Sequence, residues 1–234
     1  MTDGGAPEPA VPAATVVLLR DTTDGVETLM LRRDTELVFA GGAWVFPGGR
    51  IDAEDFPEGA DANDPDAVFQ AARNAAAREA LEEAGLQVDP DGFVWFAHWT
   101  PPPGSGTQRR FATWFFAARA PSGDVVVDDG EIRDHQWIRP ADALRRRDAG
   151  EILIIPPTWI TLNTLAHAAS VDELLTRMAD GAPEVYVTRM ARLDGVMVSM
   201  WSGDAGYDDG DAGRPGSRHR LIMSDDGWRF ERDA

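Results

Sequence analysis

One long helical segment, between Asp64 and Gly85, most constrains how this chain folds. Asp64 suits an N-cap, Pro65 suits the first helical position, and Gly85 suits the residue just past the end. The acidic segment before the helix, residues 52–66, is interrupted by proline and glycine and is predicted to be mostly loop. The sequence therefore predicts one helix, from about residue 64 to residue 84, entered from a loop.

Short segments rich in β-branched and aromatic residues lie on both sides of this helix and are predicted to be strands. They cover residues 14–19, 27–33, 43–46, 93–100, 110–118 and 134–138. The first two are predicted to form a β-hairpin, because a polar stretch ending in Gly25 separates them. Helical patterns return at 140–147 and at 158–179, with an interruption near Ser170. This order predicts an α+β fold, with helices packed on a mixed sheet.

The two ends of the chain differ in character from its middle, which gives the predicted domain organisation. Residues 1–12 are small, acidic and proline-rich, so we expect a disordered tail and no signal peptide. Residues 13–180 are predicted to form the main domain. Residues 181–234 are predicted to be a β-rich extension, and the acidic, low-complexity stretch 203–217 within it a mobile loop. Its predicted strands are 185–190, 196–201, 218–223 and 228–231.

The composition excludes several functional classes. The formal net charge is −18 and all 22 basic residues are arginine, so we expect neither a nucleic-acid polymer nor a membrane surface as partner. Cysteine is absent, which excludes thiolate metal sites and cysteine nucleophiles and fits a cytoplasmic protein. A polyanionic substrate would need divalent cations or local arginines to approach so acidic a surface.

Three glutamates lie on one side of the predicted helix, near its end. Glu79, Glu82 and Glu83 are spaced i, i+3 and i+4, so they share an arc of about 100°. They repel one another and sit at the negative end of the helix dipole, which is unfavourable unless a cation compensates. Arg78 is placed to pair with Glu82 at i+4, and oxygen ligands suit Mg²⁺ or Mn²⁺. Taken alone, the triplet still favours a solvated acidic face over a metal site.

The sequence around the triplet reverses this preference. Trp44-Val45-Phe46-Pro47-Gly48-Gly49, with a predicted turn at its end, precedes the helix, and Arg78-Glu79-Ala80-Leu81-Glu82-Glu83-Ala84-Gly85-Leu86 closes it. Together they resemble the two halves of the Nudix box, G-x5-E-x7-R-E-U-x-E-E-x-G-U, where U is aliphatic. The second half matches at every fixed position. The chain is therefore identified as a member of the Nudix hydrolase family, which implies a Nudix-like α/β/α sandwich.

Two features depart from the standard box. Counting six residues from Gly49 reaches Asp55 instead of a glutamate, and 22 residues separate Asp55 from Arg78. The standard spacing is seven, so 15 residues are inserted and the first acidic position is either Asp55 or lost. A box lengthened in this way is similar to the branch that includes peroxisomal coenzyme A diphosphatases. Further similar pieces are Leu31-Arg32-Arg33, Trp99-Thr100-Pro101, Arg109-Arg110-Phe111 and Pro156-Pro157-Thr158.

The resemblance implies a metal-dependent diphosphatase. It implies that Glu79, Glu82, Glu83 and a Gly49 carbonyl bind Mg²⁺ or Mn²⁺, and that the metal lowers the pKa of a bound water. The Gly48-Gly49 turn would let the backbone approach a diphosphate. We expect a small nucleoside diphosphate derivative as substrate, with coenzyme A-type molecules leading. Two alternatives stay open: a housecleaning hydrolase of nucleoside triphosphates or nucleotide sugars, and a catalytically silent nucleotide-binding regulator.

The remaining site predictions concern the general base and the arginines. The base is either a carboxylate of the helix or Glu131, for which an ordinary acidic turn is an equal alternative. Arg33, Arg50 and Arg110 are predicted to bind substrate phosphates, since guanidinium forks suit phosphate oxygens. For any single one of them, a surface or structural ion pair is the favoured alternative. Further arginines of the same kind are Arg32 and Arg109. The sequence is also compatible with a homodimer.

Overall fold

The computed structural model describes residues 10–36, 40–103, 110–127 and 130–233. The strands within them are β1 (Val11–Thr22), β2 (Gly25–Arg33), β3 (Trp44–Val45), β4 (Gly48–Arg50), β5 (Val94–Thr100), β6 (Phe111–Arg119), β7 (Ile132–Ile138), β8 (Glu184–Val187), β9 (Arg189–Leu193), β10 (Val196–Met200), β11 (His219–Ser224) and β12 (Gly227–Arg232). The helices are α1 (Pro65–Ala84), α2 (Pro140–Asp148), α3 (Pro156–Leu165) and α4 (Val171–Asp180). None of these helices is long and apolar enough to cross a membrane.

The chain divides into two compact units. The main unit contains Ala13–His98 and Thr113–Val185, and the second unit contains Met1–Pro12, Trp99–Ala112 and Tyr186–Ala234. The predicted tail 1–12 and extension 181–234 stay predictions; strand β1 already begins at Val11.

An eight-stranded sheet has the order β3-β2-β1-β6-β5-β8, with β4 beside β1 and β7 beside β2. The predicted hairpin is present, since β1 and β2 pair antiparallel. Strands β1 and β6 run in the same direction, because Val11 N donates to Arg110 O at their start and Ala120 N donates to Leu19 O at their end. Parallel and antiparallel pairs therefore coexist, and the predicted mixed sheet with packed helices is confirmed.

Helix α1 lies where the sequence predicts it. Asp64 caps its first turn by accepting a hydrogen bond from Asp66 N, and Gly85 ends it in the left-handed conformation with φ of 68°. Its buried face is formed almost entirely by alanine, and it packs on aliphatic side chains of β1 and β2. Because alanine is small, α1 approaches the sheet closely, which brings its last turn next to β4.

The predicted turn at Pro47–Gly49 is wrong beyond Pro47. Gly48–Arg50 forms the short strand β4, which pairs antiparallel with Ala13–Thr15 of β1. The reason is the missing side chain, because a Cβ at Gly48 would overlap Thr15 and the neighbouring backbone oxygen of Ala14. Only glycine at this position lets β4 approach β1 closely enough to pair.

The predicted strand 185–190 is two strands. Strand β8 is the last strand of the large sheet, whereas β9 belongs to a separate four-stranded antiparallel sheet with the order β12-β11-β10-β9. The chain changes sheets at Thr188, whose N–H donates to Thr100 O at 2.8 Å and whose hydroxyl accepts a hydrogen bond from Trp201 Nε1 at 3.1 Å. These two bonds hold Thr188 between the two ladders. Alternating apolar residues do not encode such a change of sheet.

A buried ion pair lies in the second unit. Arg220 Nε and Nη2 donate to the two Asp204 oxygens, each at 2.6 Å, and Nη1 donates to Ala212 O at 2.7 Å. Both side chains are almost fully buried. Burial raises the pKa of Asp204, but the hydrogen bonds from Arg220, His219 and Gly206 together outweigh it and lower this pKa overall. The pair anchors the acidic stretch 203–217 at two points, while its mobility stays a prediction.

Candidate active site

Glu83 is the buried acid of the α1 triplet. Its side chain points to β4, where its Oε2 accepts a hydrogen bond from Gly48 N at 3.0 Å, and the residue is only 6% exposed. Burial raises the pKa of Glu83 to about 8, and the nearby charge of Glu79 raises it further, although the Gly48 N–H opposes both. The Gly48 N–H and the charge of Arg33 compensate the burial of this acid only in part.

Glu79 lies against the second glycine of the FPGG sequence. A Cβ at Gly49 would overlap the Glu79 carboxylate, so the missing side chain creates the space that this carboxylate occupies. Burial raises the pKa of Glu79, and the hydrogen bond from Arg78 lowers it only in part. Glu79 and Glu83 thus flank the Gly48-Gly49 strand as two partly desolvated acids, whereas the third acid, Glu82, is exposed.

Arg78 connects the acids to one another. Its Nη1 donates to Glu79 Oε1 at 2.9 Å and to Glu82 Oε2 at 3.0 Å, so the expected pair with Glu82 is present. Its Nη2 also donates to Arg50 O at 3.0 Å. Hydrogen bonding to Asp55 raises the pKa of Arg78 above its already high ordinary value, so it is permanently charged here.

Asp55 is the residue on which the standard box and this chain differ. It is 4% exposed, and its two oxygens accept hydrogen bonds from Arg78 Nε and Nη2, each at 3.0 Å. Its Oδ2 also accepts from Asp52 N at 2.8 Å, and its carbonyl accepts from Asn74 Nδ2 at 2.8 Å. Despite the longer spacing in the box, Asp55 therefore contacts helix α1 and binds the Arg78 guanidinium.

Glu131 and Arg33 form an ion pair in the main unit. Arg33 Nη2 donates to Glu131 Oε2 at 3.1 Å. Among the influences on the pKa of Glu83, Arg33 lowers it and Glu131 raises it, which places both charges in the electrostatic neighbourhood of the α1 acids. The sequence assigned these two residues separately, and their contact was not predicted because 98 positions separate them.

The other predicted phosphate ligands are distributed unevenly. Arg50 follows Gly49 on β4; its guanidinium is half exposed and pairs with Asp52 at 3.3 Å. Arg110 lies in the second unit, where its Nη1 donates to Pro101 O at 3.3 Å. Arg109 lies outside the described residues. The structure thus brings Arg33 and Arg50 into the same unit as the acids.

The α1 acids offer oxygen donors to a divalent cation. Within the parts of the chain that the structure describes, no three acidic or histidine side chains form a ready-made metal site. Arg78 supplies the positive charge between Glu79 and Glu82. Glu79 and Glu83 nevertheless keep raised pKa values, and the glycine strand leaves space beside them. Oxygen donors with uncompensated charge are the ligand set that Mg²⁺ or Mn²⁺ prefers, so these residues fit such an ion.

Two supporting residues were missed in the sequence. Asn74 is one α1 turn before Arg78 and binds the Asp55 carbonyl, and Thr15 of β1 is the residue that requires glycine at position 48. Asn74 and Arg78 are four residues apart on a predicted helix and so lie on the same face. This spacing was the one feature of the sequence that could have associated Asn74 with the site. Trp95 and Trp114 pack against Phe69 of α1 at centroid distances of 5.6 and 5.4 Å.

Comparisons with known proteins agree with this geometry. The profile of the NUDIX domain matches residues 9–154. The chain is 33% identical to the human protein "Acyl-coenzyme A diphosphatase NUDT19" over 134 residues, which are 53% of this chain and only 35% of the human one. It is 24% identical to the Xenopus laevis protein of the same name, over 91% of this chain and 81% of that protein.

A solved structure supports the fold. The crystal structure of a NUDIX hydrolase from Alicyclobacillus acidocaldarius superimposes with a TM-score of 0.63 and 22% identity, covering 76% of this chain and all of that one. The predicted family and fold are confirmed. The family profile matches more than half of the chain, and the glycine strand and the glutamate helix lie within the match. This chain therefore belongs to the Nudix domain family.

Proposed function

We propose that this protein is a Mg²⁺- or Mn²⁺-dependent hydrolase of a diphosphate linkage, with coenzyme A-type molecules as the leading substrates. One observation carries the proposal: Glu83 and Glu79 are held, partly desolvated, against the Gly48-Gly49 strand. Holding two acids there is costly for folding alone, so the arrangement is better explained by a bound cation. The named activity of the human and frog relatives supports the substrate class.

Glu79, Glu83 and the exposed Glu82 would hold the cation, together with a backbone oxygen of Gly49. When bound, the ion neutralises phosphate charge and makes a water molecule more acidic. This matters for a chain with a net charge of −18, which otherwise repels a polyanion. Arg78, fixed by Asp55, bridges Glu79 and Glu82 with one nitrogen, which holds both carboxylates at defined positions and limits their mutual repulsion.

The reaction itself requires a proton acceptor and a stabilised leaving group. The oxygen of a water molecule forms a bond to one phosphorus, the bond from that phosphorus to the bridging oxygen breaks, and one water proton passes to the Glu131 carboxylate. The departing phosphate takes the electron pair of the broken bond. Arg50, the half-exposed last residue of β4, would meet its charge. Glu131 is favoured over the helix carboxylates because Glu79, Glu82 and Glu83 are assigned to the cation, whereas the Glu131 carboxylate is 61% exposed and can reach a water molecule.

The test is a substrate panel with Mg²⁺, scored for products by mass spectrometry in ¹⁸O-water. Coenzyme A and acyl-coenzyme A should be cleaved, with ¹⁸O in one phosphate product, faster than nucleoside triphosphates or nucleotide sugars. Glu82→Gln and Glu83→Gln should each remove nearly all turnover while thermal unfolding remains cooperative. Glu58→Gln, an exposed acid in the inserted segment, is the matched control and should keep full activity.

Three results would refute the proposal. Full turnover by Glu83→Gln would show that the buried acid is not needed. Preference for nucleoside triphosphates or nucleotide sugars would favour the housecleaning alternative. Binding of Mg²⁺ and coenzyme A, measured by isothermal titration calorimetry without any product, would favour the regulator. A cytoplasmic location and a homodimer stay predictions.

A further inference from the structure

The junction between β2 and β7 contains a local irregularity at the strand ends that carry Arg33 and Glu131. The two strands pair antiparallel in regular register from Thr28 opposite Ile138 to Arg32 opposite Asp134, and the register then shifts so that Arg33 lies opposite Ile132. Arg133 is therefore the extra residue of a β-bulge. Bulges change the direction of neighbouring side chains and are frequent beside active sites.

The bulge fixes the backbone of Glu131 to the end of β2. Asp34 N donates to Glu131 O at 2.8 Å, and the Asp34 carboxylate forms an ion pair with the side chain of Arg133. Residues 131–133 are thus tied to residues 33–34 by the ladder, by a backbone bond and by an ion pair. Glu131 is therefore attached to a strand end rather than to a free turn.

The Glu131 side chain is held at the same place. Arg33 Nη2 donates to its Oε2 at 3.1 Å, and the two partners differ in environment, with Arg33 17% exposed and Glu131 61% exposed. A largely buried guanidinium thus directs a solvent-accessible carboxylate. Arg33 Nε is buried and has no hydrogen-bond partner among the described residues. Such an incompletely satisfied buried donor is a cost to stability and often marks a functional group.

The pair also belongs to the electrostatic field of the α1 acids. Arg33 N donates to Ala43 O at 3.0 Å, and from Ala43 the chain leads through β3 to Gly48, whose N–H donates to Glu83. In agreement with this connection, the charges of Arg33 and Glu131 both act on Glu83. A third carboxylate beside two partly desolvated acids is repelled by them, and it stays only if something holds it there. Arg33 supplies both the hydrogen bond and the opposite charge.

We propose that Arg33 is a positioning residue that holds the Glu131 carboxylate beside the Glu79–Glu83 site, where Glu131 accepts the proton of the attacking water. This inference rests on the proposed function, and it replaces the direct phosphate contact expected for Arg33 from the sequence. Arg33 then acts on the chemical step through Glu131 and affects substrate affinity little.

The experiment compares Arg33→Met, Arg33→Lys, Glu131→Gln and the double variant Arg33→Met/Glu131→Gln, with coenzyme A and Mg²⁺. Glu131→Gln should lower kcat by about 100-fold, as for a lost general base. Arg33→Met should lower kcat about 10-fold with KM within about twofold, and Arg33→Lys should recover part of it because one donor and the charge remain. The kcat of the double variant should equal that of Glu131→Gln alone, because Arg33 acts on the reaction only through Glu131.

The matched controls are Arg177→Met and Glu173→Gln, which break an exposed ion pair of 3.2 Å on α4 and should leave kcat unchanged. An increase of KM with unchanged kcat in Arg33→Met would overturn the inference and indicate a phosphate ligand. Multiplicative effects in the double variant would also overturn it. Turnover by the wild type and its loss in Glu83→Gln report separately on the proposed function.

A crystal structure of Arg33→Met gives an answer that does not depend on turnover. The Glu131 carboxylate should leave its place beside Arg33 and point to solvent, while the backbone bond from Asp34 N persists. A carboxylate that keeps its position without Arg33 would overturn the positioning role. If Arg33→Met does not fold, Arg33→Lys serves for the same measurement, with the carboxylate displaced toward the shorter donor.

Discussion

Arg78 and Asp55 form a two-point ion pair, in which Nε donates to Oδ1 and Nη2 donates to Oδ2, each at 3.0 Å. The pair joins the two halves of a box that 22 intervening residues separate. Since Asp55 is buried and Arg78 also contacts Glu79 and Glu82, the fork sets the position of the whole acidic cluster. Despite the inserted segment, Asp55 and Arg78 therefore remain in contact at the site.

The fork itself can be tested with Arg78→Lys. Lysine keeps the charge but offers one point of attachment, so it cannot bind Asp55 in two places and still reach Glu79. We expect kcat to fall at least about 10-fold and unfolding free energy to fall by about 2 kcal/mol. Arg73→Lys, on the same helix and bound to Pro90 O and Asp91, is the control. Equal kcat in the two variants would contradict the assigned role.

The contact between Gly49 and Glu79 predicts a severe effect of a single methyl group. In Gly49→Ala the added Cβ overlaps the Glu79 carboxylate, so either β4 or Glu79 must move. We expect loss of most activity because Glu79 leaves its place, and only a small change in stability because the end of a glutamate side chain can move. Gly92→Ala, where a Cβ meets no atom within 4 Å, should be nearly neutral in both assays. An active Gly49→Ala enzyme would show that Glu79 need not lie against the strand.

Glu83 predicts a pH dependence of stability in the absence of divalent cations. Its pKa is raised by burial from 4.5 to about 8, so the folded state binds a proton that the unfolded state releases. Its favourable contribution is present below about pH 4.5 and is lost as the pH rises through 8. With EDTA present, Glu83→Gln should therefore gain stability relative to wild type between pH 5 and pH 9, by a few kcal/mol and at most about 5. Denaturant unfolding at both pH values measures this. Parallel stability curves for the two proteins would disprove the uncompensated burial of Glu83.

The buried Arg220–Asp204 pair predicts that the second unit depends on one ion pair. Asp204→Ala leaves the Arg220 charge buried without its partner, which should cost about 3–5 kcal/mol of unfolding free energy. Asp225→Ala, in the exposed turn between β11 and β12, is the control and should change stability by less than about 0.5 kcal/mol. Similar unfolding curves for both variants would mean that the pair is not required.

Local patterns of the sequence determined much of the fold. Asp64, Pro65 and Gly85 marked both ends of α1 because capping and φ preferences act over a few residues. The hairpin of β1 and β2 followed from a polar turn between apolar segments. The i, i+3, i+4 spacing put Glu79, Glu82 and Glu83 on one side of the helix, and the box around them identified the family.

Only the tertiary structure decided which distant groups meet. It brought Asp55 to Arg78 across the insertion, joined Arg33 to Glu131, paired Gly48–Arg50 with β1 and divided residues 184–193 between two sheets. Spacing along the chain carries no information about such partners, because they are selected by packing, register and the need to satisfy buried charges. Residue types thus determine which chemical groups the protein can use, and the tertiary structure determines which of these groups come into contact.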